Sequence, residues 1–166
     1  MPEPAVVVRR PMAAELDAVG EVTVAAYLAD GHVGAGHEYV RELRDAATRD
    51  REAEIWVAVA GSAVVGSVTF CPVGSPYREV AVADSEAEFR MLSVALAARR
   101  RGVARLLALQ CLERARELRQ TRMVMCSDRR MGSAHALYAG LGFRRLPARD
   151  WSPAPGIDLW AFALDL

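Results

Sequence analysis

The six residues from Arg99 to Ala104 read R-x-x-G-x-A and carry the clearest chemical signal in the chain. They follow an apolar run that ends near Ala95, and they open an apolar periodicity that predicts a helix over Gly102–Leu118. Backbone N–H groups, the positive end of that helix and arginine side chains would meet at one point, an arrangement that favours phosphate. In a chain rich in arginine and alanine the pattern alone is weak, because an ordinary basic first turn of a helix looks the same.

Two other nucleotide-binding patterns are absent from the sequence. Neither G-x-G-x-x-G nor G-K-[ST] occurs. The glycine-rich stretch Asp30–Gly36 is interpreted as a flexible connector, because no strand precedes it and no Lys-Ser/Thr follows it.

Hydrophobic patterning predicts the elements that position this segment. Strand patterns cover Ala5–Arg9, Glu54–Ala60, Val64–Cys71, Ala87–Ala95, Arg122–Cys126, Phe143–Leu146 and Asp158–Leu164. Helical patterns cover Met12–Leu28, Glu38–Ala47, Gly102–Leu118 and a segment around Ala134–Leu141. Hairpins pair strands antiparallel, whereas strand–helix–strand crossovers need parallel neighbours, so the sequence predicts an α/β domain with a mixed sheet.

Composition limits the classes of function. With 166 residues, 52% of them hydrophobic, residues 1–166 are expected to form one globular domain. Lys+Arg and Asp+Glu are equal at 21 each, which argues against a nucleic-acid partner. Arginine supplies the positive charge, and the richness in alanine, valine and leucine suggests a bacterial genome of high GC content.

Cysteine usage and the longest uncharged stretch bear on metal sites, location and membranes. Three cysteines without C-x-x-C spacing predict no metal site and no disulfide framework, and they favour the cytoplasm. Residues 55–77 carry no charge and are long enough to cross a bilayer. Glycine and proline interrupt them, so a β-hairpin is expected and no membrane contact.

A second segment, Ser133–Phe143, also follows a strand pattern and lies on a predicted helix. With both segments in view, the chain resembles the GNAT superfamily of N-acetyltransferases. In that family a strand L-x-V leads into [RQ]-x-x-G-x-[GA], which binds the pyrophosphate of acetyl-CoA. The counterparts here are Leu92, Ser93, Val94, Arg99, Arg100, Arg101, Gly102, Val103 and Ala104.

The resemblance implies a fold and further cofactor contacts. It implies a mixed, mostly antiparallel central sheet of six to seven strands flanked by about four helices. Ser133 and Tyr138 are the counterparts of residues beside the pantetheine, with serine where asparagine is usual. Leu96 stands where many members have proline, and Ala104 where glycine is commoner.

The implied reaction is acetyl transfer from acetyl-CoA to a primary amine, with no metal. An alkylamine of pKa ~10.4 is almost wholly protonated at neutral pH, so a general base is useful. Glu88 matches the family's position for that base, and Glu86 on the same strand face is the competitor. Tyr138 resembles the general acid that protonates the departing thiolate, and backbone N–H groups near Leu92 would polarise the acetyl carbonyl.

The acceptor and the assembly stay open at this point. A small-molecule or peptide amine is expected between the connector Leu28–Tyr39 and the loop Pro147–Gly156. Asp30, Glu38, Asp150 or Trp151 could receive its cation. A non-catalytic module that binds or senses acyl-CoA is the alternative function, and a homodimer is left open.

Overall fold

The computed structural model describes residues 3–166 as one mixed sheet with helices on both faces. In chain order its elements are β1 (Val6–Arg9), α1 (Leu16–Ala29), α2 (Tyr39–Arg44), α3 (Ala46–Glu52), β2 (Glu54–Ala60), β3 (Ala63–Cys71), β4 (Glu86–Val94), α4 (Val103–Glu117), β5 (Arg122–Asp128), α5 (Gly132–Gly140), β6 (Arg144–Arg145), β7 (Trp151–Ala154) and β8 (Ile157–Asp165). The α/β class and the mostly antiparallel sheet are confirmed.

The sheet has the strand order β1-β2-β3-β4-β5-β8-β6, and β7 pairs with β8. Among the strand pairs of residues 3–166, only β4 and β5 are parallel. The eight strands and five helices in this part of the chain exceed the expected six to seven strands and about four helices, because β7 forms within a proline-rich stretch and the second predicted helix is divided.

That division lies at Asp45. Its ψ of 69° ends α2, and its side chain accepts a hydrogen bond of 3.0 Å from the N–H of Thr48, which caps α3. Aspartate favours such a local bond over helical continuation. The single helix predicted over Glu38–Ala47 was therefore wrong in its bounds.

Strand β2 is buried on both faces and separates two cores. Ile55, Val57 and Val59 pack with residues of α1 and α3 on one face. Ala58 belongs to the larger core beneath α4 and α5 on the other face. This alternation is the period of two that a strand imposes on its side chains.

Gly66 on β3 allows α4 to begin close to the sheet. A Cβ at this position would lie 2.9 Å from the carbonyl oxygen of Ser93 and 3.0 Å from Cγ1 of Val103. Any larger residue would therefore push the start of α4 away from β4.

Candidate functional site

A gap between the two parallel strands forms the centre of the site. β4 and β5 pair only from Glu86–Arg122 to Glu88–Val124. The strands then continue to Val94 and Asp128, and within residues 3–166 they form no further pairs with each other. A cleft of about 1360 Å³ opens between them. Backbone groups on the two facing edges are thus available to a ligand.

β4 contains a β-bulge in its pairing with β3, within the part of the strand that borders the gap. Between the pairs Arg90–Thr69 and Ser93–Ser67, β4 has one residue more than β3, and Met91 adopts a φ of 56°. An extra residue in a bulge is left outside the ladder of backbone hydrogen bonds. The backbone near Leu92 therefore has polar groups that the sheet does not pair, as the polarising N–H prediction requires.

The bulge also resets the alternation of side chains. Met91 packs in the core under α1 and α2, whereas Leu92 and Val94 return to the face that contains Phe89. Ser93 lines the cleft, and its hydroxyl lies 3.3 Å from that of Ser67. The predicted residues Leu92, Ser93 and Val94 thus all line the cleft.

Helix α4 begins at the same cleft with free donors. Gly102 precedes its first residue with a φ of 77°, in the left-handed region that glycine adopts without strain, and no side chain caps the helix. Arg100 also has a positive φ of 65°. Val103 and Ala104 line the cleft, so the unpaired first-turn N–H groups and the positive end of the helix lie at the cleft.

The structure separates the three arginines of the R-x-x-G-x-A segment. Arg99 and Arg100 line the cleft, together with Arg105 one turn later, which sequence reasoning missed. Arg101 does not line it: its Nε lies 2.9 Å from a carboxylate oxygen of Glu3. The prediction that Arg101 contacts the cofactor is therefore not supported.

Arg99 already has a partner across the cleft. Its Nη1 and Nη2 donate to the two carboxylate oxygens of Asp30 at 2.7 and 2.9 Å. Asp30 follows the last residue of α1, so this ion pair joins the connector after α1 to the predicted phosphate-binding turn.

Tyr138 projects from α5 into the same cleft and is 4% exposed. Its ring lies within 6.0 Å, between centroids, of the rings of Phe89, Phe143 and Phe162. Burial raises the pKa of Tyr138, which keeps its phenol protonated at neutral pH. No group in residues 3–166 is hydrogen-bonded to its hydroxyl, and Ser133 lines the cleft five residues earlier on the same helix.

Glu88 is placed away from the reacting end of the cleft. It is 1% exposed and does not line the cleft. Its carboxylate accepts hydrogen bonds of 2.9 to 3.2 Å from the backbone N–H groups of Glu79, Val80 and Ala81. The assignment of Glu88 as general base is corrected: this carboxylate fixes the loop between β3 and β4.

Glu86 is also structural. Arg149 donates to both of its carboxylate oxygens at 2.8 and 2.9 Å, and the N–H groups of Val82 and Ala83 donate to one of them. Burial opposes ionisation, but these donors prevail and lower the pKa of Glu86 to about 2. Such a weak base is unsuited to taking a proton from an ammonium group.

Glu79 is a carboxylate that does line the cleft, close to Arg90 of β4. Its side chain is 28% exposed and lies 3.0 Å from Nη2 of Arg90. Burial raises the pKa of Glu79 despite Arg90, and the negative charges of Glu88 and Glu42 add to this effect. Sequence reasoning missed Glu79, although it is the single acidic residue between Pro72 and Ala83.

A family model decides how the cleft is classified. The model of the acetyltransferase (GNAT) family matches residues 21–143, which include β4, the arginine turn and α5. The chain belongs to the GNAT family. None of the curated proteins compared with it matches its sequence.

Solved GNAT structures share the fold at low sequence identity. A GNAT acetyltransferase of Staphylococcus aureus Mu50 has a TM-score of 0.76 and 13% identity, covering 98% of this chain and 99% of that one. The paiA N-acetyltransferase of Thermoplasma acidophilum, solved with coenzyme A, also has a TM-score of 0.76 and 13% identity, covering 98% of this chain and 99% of that one. The yncA protein of Salmonella typhimurium, a putative acetyltransferase solved with acetyl-CoA, has a TM-score of 0.70 and 20% identity, covering 98% of this chain and 94% of that one.

The other end of the GNAT cleft is formed by segments distant in sequence. Tyr27, Tyr39 and Glu42 line it from α1 and α2, and Trp151 and Pro153 line it from β7. Arg90 links this wall to the sheet, because its Nη2 donates to the hydroxyl of Tyr39 at 3.2 Å.

The structure sorts the four residues expected to receive the acceptor's cation. Asp30, Glu38 and Trp151 line the cleft. Asp150 does not: both its oxygens accept hydrogen bonds of 2.7 Å from Arg145, which holds the pKa of Asp150 below its usual value. Asp150 is thereby withdrawn from acceptor binding.

Neither a metal-binding cluster nor a membrane-spanning helix is found in residues 3–166. Within residues 3–166 no group of three or more His, Cys, Asp or Glu side chains has an arrangement that could hold a metal ion. None of the helices in these residues has the length and apolar character needed to cross a membrane.

Proposed function

We propose that this acetyltransferase transfers an acetyl group from acetyl-CoA to the primary amine of a small-molecule or peptide acceptor. One observation carries the proposal. The gap between β4 and β5 joins the uncapped, arginine-flanked start of α4 to an end where Glu79 and Tyr138 are both exposed to the cleft. Phosphate-binding groups thus lie at one end and two proton-transfer groups at the other.

The residues of the cleft fit acetyl-CoA. The first-turn N–H groups of α4 and the side chains of Arg99 and Arg100 suit a diphosphate. The unpaired edges of β4 and β5 suit the amides of pantetheine, since each strand edge offers both donors and acceptors. Acetyl-CoA supplies the acyl group as a thioester.

Glu79 has the chemistry of the general base. An amine attacks only when neutral, and a carboxylate whose pKa is raised is better matched to accepting a proton from ammonium at neutral pH. Arg90, at 3.0 Å, orients the carboxylate and keeps it ionised at the start of the reaction. Glu88 fixes the loop that carries it.

Tyr138 has the chemistry of the general acid. The acceptor nitrogen forms a bond to the acetyl carbon, the bond between that carbon and sulfur breaks, and the electron pair leaves on sulfur. Tyr138 donates its phenolic proton to this thiolate and is then reprotonated from solvent. The N–H groups freed by the bulge near Leu92 stabilise the negative charge on the carbonyl oxygen.

The cleft favours direct attack over an acyl-enzyme. Cys126 lines the cleft, but burial raises its pKa to about 12, so its thiolate is scarce at neutral pH. Since the thiolate is the nucleophilic form, Cys126 is a poor acyl carrier.

The test combines CoA binding with thiol release. We expect calorimetry to detect CoA binding to the wild type. We also expect at least one member of a panel of peptide N-termini, lysine derivatives, polyamines, aminoglycosides and simple amines to accelerate release of free thiol from acetyl-CoA. The same release without protein is the control.

Two outcomes would contradict the proposal. Absence of CoA binding would reject the cofactor assignment and with it the reaction. CoA binding without acceleration by any amine of the panel would favour the alternative, a module that binds acyl-CoA without turnover.

A further inference from the structure

Asp30 occupies an electrostatically unfavourable position. It immediately follows Ala29, the last residue of α1, and the last turn of α1 contains no basic residue. A helix carries partial negative charge at its C-terminal end, so a carboxylate there is repelled unless a cation compensates it. Arg99 supplies that cation with two hydrogen bonds, at 2.7 and 2.9 Å.

Arg99 cannot donate the same two hydrogen bonds to Asp30 and to a diphosphate at the same time. The guanidinium presents a planar pair of donors that match one carboxylate or one phosphate, and both Nη atoms of Arg99 are used by Asp30. Arg99 begins the turn that leads into the uncapped N-terminus of α4. A diphosphate bound at that turn would therefore compete with Asp30 for the same fork.

We propose that cofactor binding transfers Arg99 from Asp30 to the diphosphate, and that the released Asp30 carboxylate then binds a cationic group of the acceptor. The inference rests on the proposed function and adds a binding order, in which the cofactor precedes the amine. It also adds a specificity-determining residue for acceptors that carry a positive charge.

The position and exposure of the pair support this exchange. Asp30 lies at the phosphate-binding turn, where it contacts Arg99, and it lines the cleft together with His32 and with Tyr27 of the acceptor wall. The side chains of Arg99 and Asp30 are 34% and 40% exposed, so water already reaches both partners. A pair this exposed changes an equilibrium constant by about fivefold at most, which permits displacement by a diphosphate that carries two negative charges in total.

Calorimetry with free CoA tests the first half of the proposal. Removal of the competing carboxylate in Asp30→Asn should tighten CoA binding about threefold to fivefold at low ionic strength. The gain should shrink at about 0.5 M salt, because exposed charges are screened. Glu21→Gln is the matched control: Glu21 is an exposed carboxylate of α1 that pairs with Arg44, at 2.8 Å, and does not line the cleft. Equal or weaker CoA binding by Asp30→Asn would overturn the exchange.

Steady-state kinetics test the second half. With whichever amine of the panel the wild type acetylates, Asp30→Asn should raise the KM for that amine about fivefold while kcat changes by less than about twofold. Asp30→Glu, which keeps the charge, should restore most of the affinity. An unchanged KM in Asp30→Asn would overturn the acceptor role. A wild type that binds no CoA would instead reject the proposed function itself, so the two failures are distinguishable.

Discussion

The two ends of the cleft are built in different ways. The end proposed to bind the cofactor, called the cofactor end, is formed by backbone groups and by residues close together in the sequence, from the bulge at Met91 to the first turn of α4 at Ala104. The end proposed to bind the acceptor, called the acceptor end, is formed by side chains from α1, α2, the loop that contains Glu79, and β7. Backbone geometry tolerates many side chains, whereas a pocket made of side chains changes with each substitution.

This difference separates CoA binding, which depends mainly on backbone geometry, from acceptor choice, which depends on individual side chains. Changes at the acceptor end should alter turnover and acceptor choice while CoA binding survives. Changes at the cofactor end should alter CoA binding first. Substitutions at the two ends of the cleft test this division.

Glu79→Gln should abolish most of the chemistry and leave the cofactor bound. Loss of a general base lowers the rate by 10² to 10⁴, and we expect about a thousandfold loss of kcat/KM for the amine. CoA affinity by calorimetry should remain within about twofold. Glu113→Gln, on the solvent side of α4 and paired with Arg116, is the charge-matched control.

The pH profile sharpens this prediction. Because Glu79 must be ionised, kcat/KM should fall as pH drops through its pKa, which burial raises above the ordinary value of 4.5. Glu42 is a neighbouring negative charge that contributes to this rise, so Glu42→Gln should move the acidic limb to lower pH. An acidic limb that does not move would argue against Glu79 as the base.

Glu86→Gln should act on stability more than on chemistry. The pKa of Glu86 is about 2 in the folded protein and 4.5 ordinarily, so its carboxylate contributes about 3 kcal/mol of unfolding free energy above pH 4.5. The depressed pKa means that this contribution is lost as pH falls from about 4.5 to about 2. Urea unfolding of wild type and variant should thus differ most at pH 7 and converge near pH 2. A constant difference across this range would contradict the assignment.

Tyr138→Phe should lower kcat about a hundredfold, because the variant keeps the ring and loses the acidic proton. The rings of Phe89 and Phe143 pack against this side chain, so packing should be preserved. The measurement is thiol release at saturating acetyl-CoA, with thermal unfolding as the check on folding. Equal kcat values would make Tyr138 a core residue only.

Gly102→Val should weaken CoA binding about tenfold without a direct effect on the proton-transfer groups. The space around Gly102 is open, but its φ of 77° is strained for a β-branched residue by about 1–2 kcal/mol. Relief of that strain would turn the first N–H groups of α4 away from the cleft. Gly74→Val, at a φ of 87° in a turn outside the cleft, is the matched control for strain alone. Equal losses of CoA affinity in both variants would remove the special role of the α4 turn.

Much of the cofactor end was predictable because it is local. The run from Leu92 to Ala104 reads directly as strand, turn and helix start, and the structure places most of these residues along the cleft. Among the residues of this run that were predicted to contact the cofactor, the exception is Arg101, whose partner Glu3 lies at the other end of the sequence. Nor does the sequence show the bulge at Met91, since a positive φ at methionine depends on the neighbouring strand.

The acceptor end was predicted only as two facing loops. Strand alternation correctly placed Glu86 and Glu88 on one face, but it gave no information on what covers that face. In the structure a loop covers it, and the N–H groups of that loop bind Glu88. A carboxylate in a suitable strand position was thus taken for the base, whereas the base candidate, Glu79, belongs to the covering loop.

The attachment of this loop to Glu88 limits how the chain can change in length. Three consecutive N–H groups, those of Glu79 to Ala81, must stay in phase with one buried carboxylate. Residues added between Pro72 and Ser75 would leave these hydrogen bonds intact and lengthen only the turn that follows β3. A residue inserted after Glu79 would displace the N–H groups and leave the buried Glu88 carboxylate without its donors. Engineered grafts for new acceptors therefore belong on the earlier part of this loop.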